Sequence, residues 1–234
     1  MEASVPKPTR RSVPDARGID RPGRRSRLTR RVLVEAALSL LDERGVEGLT
    51  VRAVTERADL GHGTFYHHFP STEALLAEAL EHSLRELSLE MERGFADAPD
   101  KLWVFVASLT RMLRMLVAHP ALAWMVGRPT VLANAVRHAC GPFAMRDVRA
   151  MVETGVVSAD LPAAMGDLWP WMIVGALLDV EAGRRTLAEV EEGLLRLLLF
   201  SLGLERSRTD PVLARLGHGK AARGAGPRAR SRAK

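Results

Sequence analysis

One short stretch concentrates the side chains best suited to hydrogen bonding or metal binding. Residues 62–68 contain three histidines, a threonine and the only tyrosine of the chain. Imidazole and hydroxyl groups can hydrogen-bond base edges, and a phenol can donate to a phosphate oxygen. No thiolate or carboxylate accompanies these histidines at the spacing that zinc requires. The stretch therefore predicts nucleic-acid contacts and no metal site.

The sequence offers no catalytic constellation. We find no nucleophile elbow, zinc-protease motif, phosphate loop or dinucleotide-binding motif. His138 and Cys140 lie two residues apart, so they do not share a helix face. Cys140 is the only cysteine, which excludes a disulfide scaffold. We therefore expect no enzyme activity and no cofactor.

Short helices must position residues 62–68. Upstream, apolar residues recur with the period of a helix that ends at Arg44-Gly45, namely Leu33, Ala36, Ala37, Leu40 and Leu41. Thr50 is a good cap for a short second helix, and 59–61 forms a tight turn. A third helix follows from Gly63 to Phe69, and Ser71 can cap a fourth. This order is typical of a helix-turn-helix, whose second helix enters the major groove of DNA.

The composition favours a folded protein outside the membrane. Of 234 residues, 47% are hydrophobic and 26% are charged, which is enough for a core and too apolar for a disordered chain. The longest apolar run, 168–178, is well short of the roughly 20 residues of a membrane span. No apolar signal segment follows the basic N-terminus. We expect a soluble, cytoplasmic protein with no membrane partner.

Positive charge is concentrated at both ends of the chain. Residues 1–31 hold ten basic and three acidic side chains, and 217–234 hold six basic and no acidic ones. Both ends are rich in Pro, Gly, Ser and Ala and lack apolar periodicity, so we predict that they are disordered. Basic arms suit a polyanion such as nucleic acid. A solubilising role is the alternative, and it remains open for the C-terminal tail.

Residues 28–80 resemble the DNA-binding domain of the TetR (tetracycline repressor) family. The family pattern runs Leu-Thr, about eight residues, then Ala-Gly-Val-Ser-x-Gly-x-Phe/Leu-Tyr-x-His-Phe-x-x-Lys-x-x-Leu. This chain matches it at Thr50, Ala58, Gly63, Phe65, Tyr66, His68, Phe69 and Leu75. The resemblance implies an all-α protein with an N-terminal three-helix DNA-binding domain and a C-terminal helical bundle for ligand binding and dimerisation.

The resemblance also implies roles for individual residues. The expected base-reading residues are His62, Gly63, Thr64, His67 and Arg52. The expected phosphate contacts are Thr50, Tyr66, His68, Thr72, Arg24, Arg25 and Arg27. Each has a plainer alternative: Thr50 can serve only as a cap, Tyr66 can pack, and the others can be solvated. Phe65 and Phe69 are expected in the core.

Three positions of this DNA-binding region depart from the family pattern. Asp59 replaces the glycine of the pattern, Gly61 replaces its capping serine, and Thr72 replaces the lysine that meets a phosphate. Residues 32–80 hold three arginines and eight acids. Because DNA affinity depends on phosphate neutralisation, we expect the basic arm to supply much of the missing charge.

The remaining chain predicts further helices and a dimer interface. Thr130 can cap one helix and Thr186 the last one, and 161–180 is strongly apolar around Pro170. A helix that is hydrophobic around most of its girth lies in a core or an interface. The resemblance implies a homodimer of two-fold symmetry through 167–182 and 188–203. A fully intramolecular core is the alternative.

Aromatic and methionine side chains suit a pocket for a largely apolar effector. The candidates are Trp103, Trp124, Met125, Phe143, Trp169 and Met172, with Phe105 and Met145 beside them. Any of them can equally be plain core. His119, Arg128, His138 and Cys140 are possible polar contacts.

These observations predict four segments and one function. The segments are a disordered basic arm (1–27), a helix-turn-helix domain (28–80), a ligand-binding and dimerisation domain (81–205) and a disordered basic tail (206–234). The function is a ligand-responsive, sequence-specific transcriptional regulator, expected to be a repressor, that binds double-stranded DNA as a homodimer. The alternatives are a protein–protein interaction module with a degenerate DNA head and a sequence-independent DNA-binding protein.

Overall fold

Apolar residues at helical spacing build an all-helical molecule. The computed structural model describes residues 21–160 and 165–217, and within these ranges it contains eleven α-helices, one short 3-10 helix and no strand. The α-helices are α1 (Arg21–Arg44), α2 (Val51–Ala58), α3 (His62–His68), α4 (Thr72–Gly94), α5 (Lys101–Ala118), α6 (Leu122–Val126), α7 (Pro129–Ala139), α8 (Gly141–Glu153), α9 (Met165–Glu181), α10 (Leu187–Ser201) and α11 (Arg206–Arg215). The predicted all-α class is confirmed.

Helices α1 to α4 form the N-terminal region, which we call the head. Its core is built from one apolar face of each helix. Leu33 and Leu40 of α1 are fully buried, as are Phe65 of α3, Phe69 directly after it and Leu75 of α4. Burying a large apolar side chain contributes about 1.5–3 kcal/mol, so these residues hold the short α3 in place where its own seven residues could not.

Local capping signals set the starts of several helices. The Ala53 backbone N–H donates to Thr50 Oγ1 over 3.1 Å, and the Ala74 N–H donates to Ser71 Oγ over 3.2 Å. Thr186 forms a full capping box with Glu189. These predictions are confirmed. The predicted Thr130 cap is wrong, because α7 begins at Pro129 with Arg128 at the capping position.

Both charged ends are more ordered than predicted. Residues 21–27 belong to α1, since arginine is a good helix former even where no apolar period marks the helix. Residues 206–215 form α11, which buries Val212 and Leu213 against the body. The proposed arm and tail therefore reduce to 1–20 and 218–234, which lie outside the described residues.

The body is built on α4 and the helices that follow it. Helix α4 crosses the predicted boundary at residue 80 without a break and packs along α7, while α9 packs between α7 and α10. Pro170 lies inside α9. None of the helices in the described ranges is long and apolar enough to cross a membrane.

Candidate nucleic-acid interface and effector cavity

The turn between α2 and α3 holds these helices in a helix-turn-helix arrangement. Asp59 adopts the left-handed conformation, with φ 52° and ψ 48°, and the Leu60 N–H then donates to Thr55 O over 3.0 Å. Gly61 returns to extended backbone and leads into α3 without a side-chain cap. Asp59 therefore occupies a backbone position that favours glycine, where the family pattern has one.

Helix α3 is anchored by one face and presents the other to solvent. Phe65 and Phe69 are fully buried, with ring centroids 6.1 Å apart. Tyr66 meets the edge of Phe65 at 5.3 Å, yet 59% of the tyrosine is exposed. A buried aromatic pair thus fixes a helix whose opposite face is free to meet a partner.

The exposed face of α3 carries most of the predicted DNA contacts. His62, Gly63, Tyr66 and His67 are exposed. Tyr66 follows His62 by four residues, and His67 follows Gly63 by four, so all four lie on one surface of the helix. Thr64 is only half-buried, so its hydroxyl and methyl group remain reachable. Exposed imidazole and hydroxyl groups on a helix of this size can donate to and accept from base edges.

The predicted contacts outside α3 are placed less uniformly. Arg52 is exposed, but its Nε donates to Glu56 Oε1 over 2.7 Å, so this guanidinium is already paired in the free protein. Thr50 holds its cap, and Thr72 is half-buried at the start of α4. The arginines predicted for phosphates are exposed on the first turns of α1, namely Arg24, Arg25 and Arg27.

One arginine that sequence reasoning did not single out joins three helices of the head. Arg30 of α1 donates from Nη1 to the carbonyl oxygen of His68, the last residue of α3, over 2.7 Å. Its Nε donates to both carboxylate oxygens of Glu78 on α4, at 2.7 and 2.9 Å. The guanidinium also lies 4.2 Å from the centroid of the Phe69 ring. Arg30 therefore fixes the C-terminal end of α3.

The surroundings of the neighbouring His68 favour its neutral form. Burial lowers the pKa of His68, and the nearby positive groups of His67 and Arg30 lower it further, against a smaller opposing effect of Glu78. The ring of His68 meets that of His67 edge-on at 5.1 Å. In the free protein the lowered pKa of His68 therefore favours the neutral ring. Within the described ranges, no group of His, Cys, Asp or Glu side chains is arranged to hold a metal ion.

A cavity of about 430 Å³ lies in the body. It is enclosed by α4, α5, α7, α8, α9 and α10, and its wall is largely apolar. The aromatic and sulfur-containing members of the wall are Phe95, Phe105, Phe143, Trp169, Met91, Met112, Met145 and Cys140. A cavity of this size and character suits a small organic ligand.

The structure places only part of the predicted pocket on this cavity. Phe143 and Trp169 line it, as do Phe105, Met145 and Cys140.

The other candidates lie elsewhere. Met125 is fully buried in the core, and Met172 does not reach the wall. Trp103 lies under the Arg215 guanidinium at 4.1 Å, and Trp124 under that of Arg128 at 4.6 Å. His119 and His138 are also outside the wall. Aromatic content alone did not reveal which helix faces turn inward.

Several polar groups of the cavity, Asp147 among them, were missed by the sequence analysis. Asp147 on α8 is 9% exposed, and burial raises the pKa of its carboxyl group against the lowering effect of Arg146. Burial also raises the pKa of the Cys140 thiol to about 11, so this cysteine is an unreactive thiol. The sequence did contain a signal that Asp147 is buried. It lies at helical spacing on the same face as the apolar residues Ala144, Val148 and Met151.

The head matches a family model. Residues 33–79 match the model described as bacterial regulatory proteins of the tetR family. The repressor KstR of Mycolicibacterium smegmatis is 28% identical over 106 residues, which are 45% of this chain and 52% of KstR. The regulator BetI of Burkholderia thailandensis is 34% identical over 73 residues, 31% of this chain and 37% of BetI. The chain thus matches about half or less of the length of these curated relatives.

Solved structures extend the likeness of the fold to the body. RolR in complex with resorcinol aligns with a TM-score of 0.69 at 22% identity, over 82% of this chain and 96% of RolR. Thermus thermophilus FadR in complex with lauroyl-CoA aligns with a TM-score of 0.53 at 24% identity, over 75% of this chain and 96% of FadR. The fold is therefore shared well beyond the head. The helix-turn-helix domain of this chain is therefore similar to that of the tetR family of bacterial regulatory proteins.

Proposed function

We propose that this protein is a sequence-specific, DNA-binding transcriptional regulator that acts as a homodimer, responds to a small effector and most naturally represses. The observation that carries the proposal is the α3 face of His62, Thr64, Tyr66 and His67, presented to solvent by the fully buried Phe65 and Phe69. A reading helix held this way can enter the major groove with its N-terminal residues first. No catalytic role is proposed.

An apolar surface on the last two long helices supports a dimer. On α9, Leu168 and Trp171 are 58% and 43% exposed, and on α10, Leu197 and Phe200 are 54% and 76% exposed. On each helix this apolar surface extends by one turn to an exposed glycine, Gly175 after Trp171 and Gly193 before Leu197. A Cβ added at either glycine would meet open space.

Two such stripes on packed helices form a face that a second copy can bury as a four-helix bundle. A dimer of two-fold symmetry presents two α3 helices to half-sites about 34–36 Å apart, or a multiple of this.

The position of the cavity supports effector control. Ser88, Met91 and Glu92 of α4 line the cavity, and the same helix begins four residues after the end of α3. An effector that binds one position of α4 better than another shifts the population of head arrangements. RolR with resorcinol and FadR with lauroyl-CoA are related folds that hold small molecules, and KstR is named a repressor.

Fluorescence anisotropy with the duplex directly upstream of the gene for this protein tests the proposal. We expect a preference of about 10³ or more over a scrambled duplex. The slope of log K against log salt counts the phosphates neutralised. Equal affinity for both duplexes would indicate sequence-independent coating of DNA. If the protein binds neither this duplex nor any duplex selected from a random pool, a protein–protein interaction module becomes the better interpretation.

Variants of α3 separate base reading from phosphate binding. His62→Ala and Thr64→Ala should each lose about 1–3 kcal/mol of discrimination at one base pair. Tyr66→Phe removes only the phenol hydroxyl, so it should weaken all duplexes alike. Arg149→Ala, on the exposed surface of α8, is the control that should change neither property.

A further inference from the structure

The cavity wall is shaped for a ring. Phe105 and Trp169 lie with centroids 5.4 Å apart and planes inclined by 52°, and Phe143 lines the same cavity. Methionine sulfur atoms of the wall add polarisable contacts that favour ring edges. The volume of about 430 Å³ lies near the small end of the usual range for ligand pockets. The wall therefore favours a compact aromatic molecule over a long flexible one.

The charges of the wall cancel. Two acids, Glu92 and Asp147, face two bases, Lys101 and Arg146. Arg146 is ion-paired with Glu92, and its guanidinium lies 5.5 Å from the Phe143 ring centroid. The wall therefore offers no net charge to offset the cost of removing a charged ligand from water into a largely apolar cavity. The electrostatics therefore favour an uncharged ligand.

Asp147 is the most buried charged group of the wall, and its ion pair is long. The nearest charged group, Arg146 Nη2, lies 3.5 Å from Asp147 Oδ1, which is longer than a well-formed charge-assisted hydrogen bond. Ser88, by contrast, donates its hydroxyl to Leu84 O over 2.9 Å and lies 3.6 Å from Cys140 Sγ. Buried carboxylates are normally hydrogen-bonded, so a ligand that donates to Asp147 would satisfy this group.

We infer that the cavity binds small, uncharged aromatic molecules that carry a hydroxyl group, with the hydroxyl donating to Asp147. This inference rests on the proposed function, because it takes the cavity to be the effector site. The ring packs among Phe105, Phe143 and Trp169. Ala96, Lys101 and Arg146 keep contact with solvent, so the ligand enters between α8 and the connection from α4 to α5.

Calorimetry with matched small probes tests the ligand class. The probes are phenol, anisole, benzoate, benzylammonium and the ring-free alcohol hexanol. Phenol should bind about tenfold or more tightly than anisole, because anisole cannot donate a hydrogen bond to Asp147. Benzoate, benzylammonium and hexanol should bind more weakly than phenol. Binding of anisole as tight as that of phenol, tightest binding of a charged probe, or no binding of any probe would overturn the inference.

Two carboxylate variants on the same helix locate the donor contact. Asp147→Leu keeps a similar volume and removes the acceptor, so it should bring the affinities for phenol and anisole to within about twofold of each other. Glu153→Leu removes an exposed carboxylate of α8 outside the cavity and should keep the full preference. A preference unchanged in Asp147→Leu, with normal thermal unfolding of that variant, would place the hydroxyl elsewhere.

The titrations need no DNA, so the two proposals fail separately. If phenol binds with the expected preference while the operator titration shows no sequence discrimination, the ligand class stands and the regulator function falls. If operator binding is specific and phenol shows no preference over anisole, the regulator stands and the ligand class falls. When both hold, adding phenol to the complex with DNA measures the coupling between the two sites.

Discussion

The head and the body place their functional groups in opposite ways. In the head, small polar residues stand outside on a short helix, and the apolar anchors Phe65 and Phe69 lie inside. In the body, the wall of an internal cavity is apolar and one buried carboxylate, Asp147, interrupts it. The head can therefore recognise a large polar partner by surface contact, while the body can recognise a small apolar one by enclosure. Neither surface suits the ligand of the other.

Helix α4 is the element that both regions share. Near its start, Glu73 accepts from Arg128 of the α6–α7 connection over 2.6 Å, and Glu78 accepts from Arg30 of α1. Near its end, Glu92 pairs with Arg146 at the cavity. Charged contacts thus hold one helix to the reading head and to the ligand site, and we expect a shift of α4 to be felt at both.

The largest expected effect comes from separating the two copies. Phe200→Asp puts a charge on the most exposed apolar residue of the α9–α10 face. We expect a monomer by sedimentation and a loss of operator affinity of about 100-fold or more, since each head then binds alone. The head and the body should each stay folded. Arg149→Glu makes a larger change of charge on α8 and should leave the dimer intact. A dimeric Phe200→Asp would move the interface elsewhere.

The next effect tests how the head holds its reading helix. Arg30→Met removes the donor to His68 O and the partner of Glu78, so α3 should lose its fixed orientation. We expect operator affinity to fall on the order of tenfold, equivalent to about 1.4 kcal/mol.

A positioning role leaves a specific signature. The slope of log K against log salt should stay unchanged in Arg30→Met, whereas loss of a direct phosphate contact would reduce it by about one. Arg30→Lys keeps the charge but not the planar fork, so it should rescue little. Arg57→Met is the matched control, because Arg57 pairs with Glu43 of α1 and does not touch α3. Equal losses in both arginine variants would reduce Arg30 to a general stabiliser of the head.

A smaller effect concerns the turn that orients the two helices. Asp59 is the one non-glycine residue with positive φ in the described ranges. Because an alanine in the left-handed region is strained, Asp59→Ala should be less stable than Asp59→Gly by about 1 kcal/mol in chemical unfolding. At Glu56, exposed inside α2, the order should reverse, with glycine less stable than alanine by about the same amount. The same order at both positions would show that this turn relaxes in solution.

The head could be predicted from sequence because its signals are local. The caps at Thr50 and Ser71, the stop at Gly45 and the motif of 58–75 each depend on residues that are near in sequence. Local signals could not reveal the role of Arg30, because its partners His68 and Glu78 are 38 and 48 residues away in sequence. Its role follows from packing, which no spacing along the chain reveals.

The body was harder because its site depends on which faces turn inward. Trp103 and Trp124 have the composition of a pocket, but arginines cover them on the outside of the core. Asp147 was visible as an acid on an apolar stripe, yet only the fold shows that this stripe meets a cavity. At the C-terminal end the error was opposite, because a segment predicted to be disordered is helical. Helix α11 packs on the body through its buried residues, Val212 and Leu213 among them.

The smallest expected effect is a dependence of stability on pH, with one histidine in each region. In the body, His119 ends α5, and its Nδ1 accepts from the Ala121 N–H over 3.1 Å, which requires an unprotonated nitrogen. Burial lowers the pKa of His119, against a raising effect of Asp42. The pKa of His68 in the head is lowered as well.

Because both folded-state pKa values lie below the ordinary histidine value of about 6.5, the unfolded chain takes up protons first as the pH falls. The stability from the neutral rings is therefore complete above about pH 6.5 and is lost below it. His119→Gln should flatten the fall of the melting temperature between about pH 7 and pH 5, and His68→Gln should flatten it less, since His68 is less buried. A steeper fall in His119→Gln would mean that the ring is already charged in the folded protein.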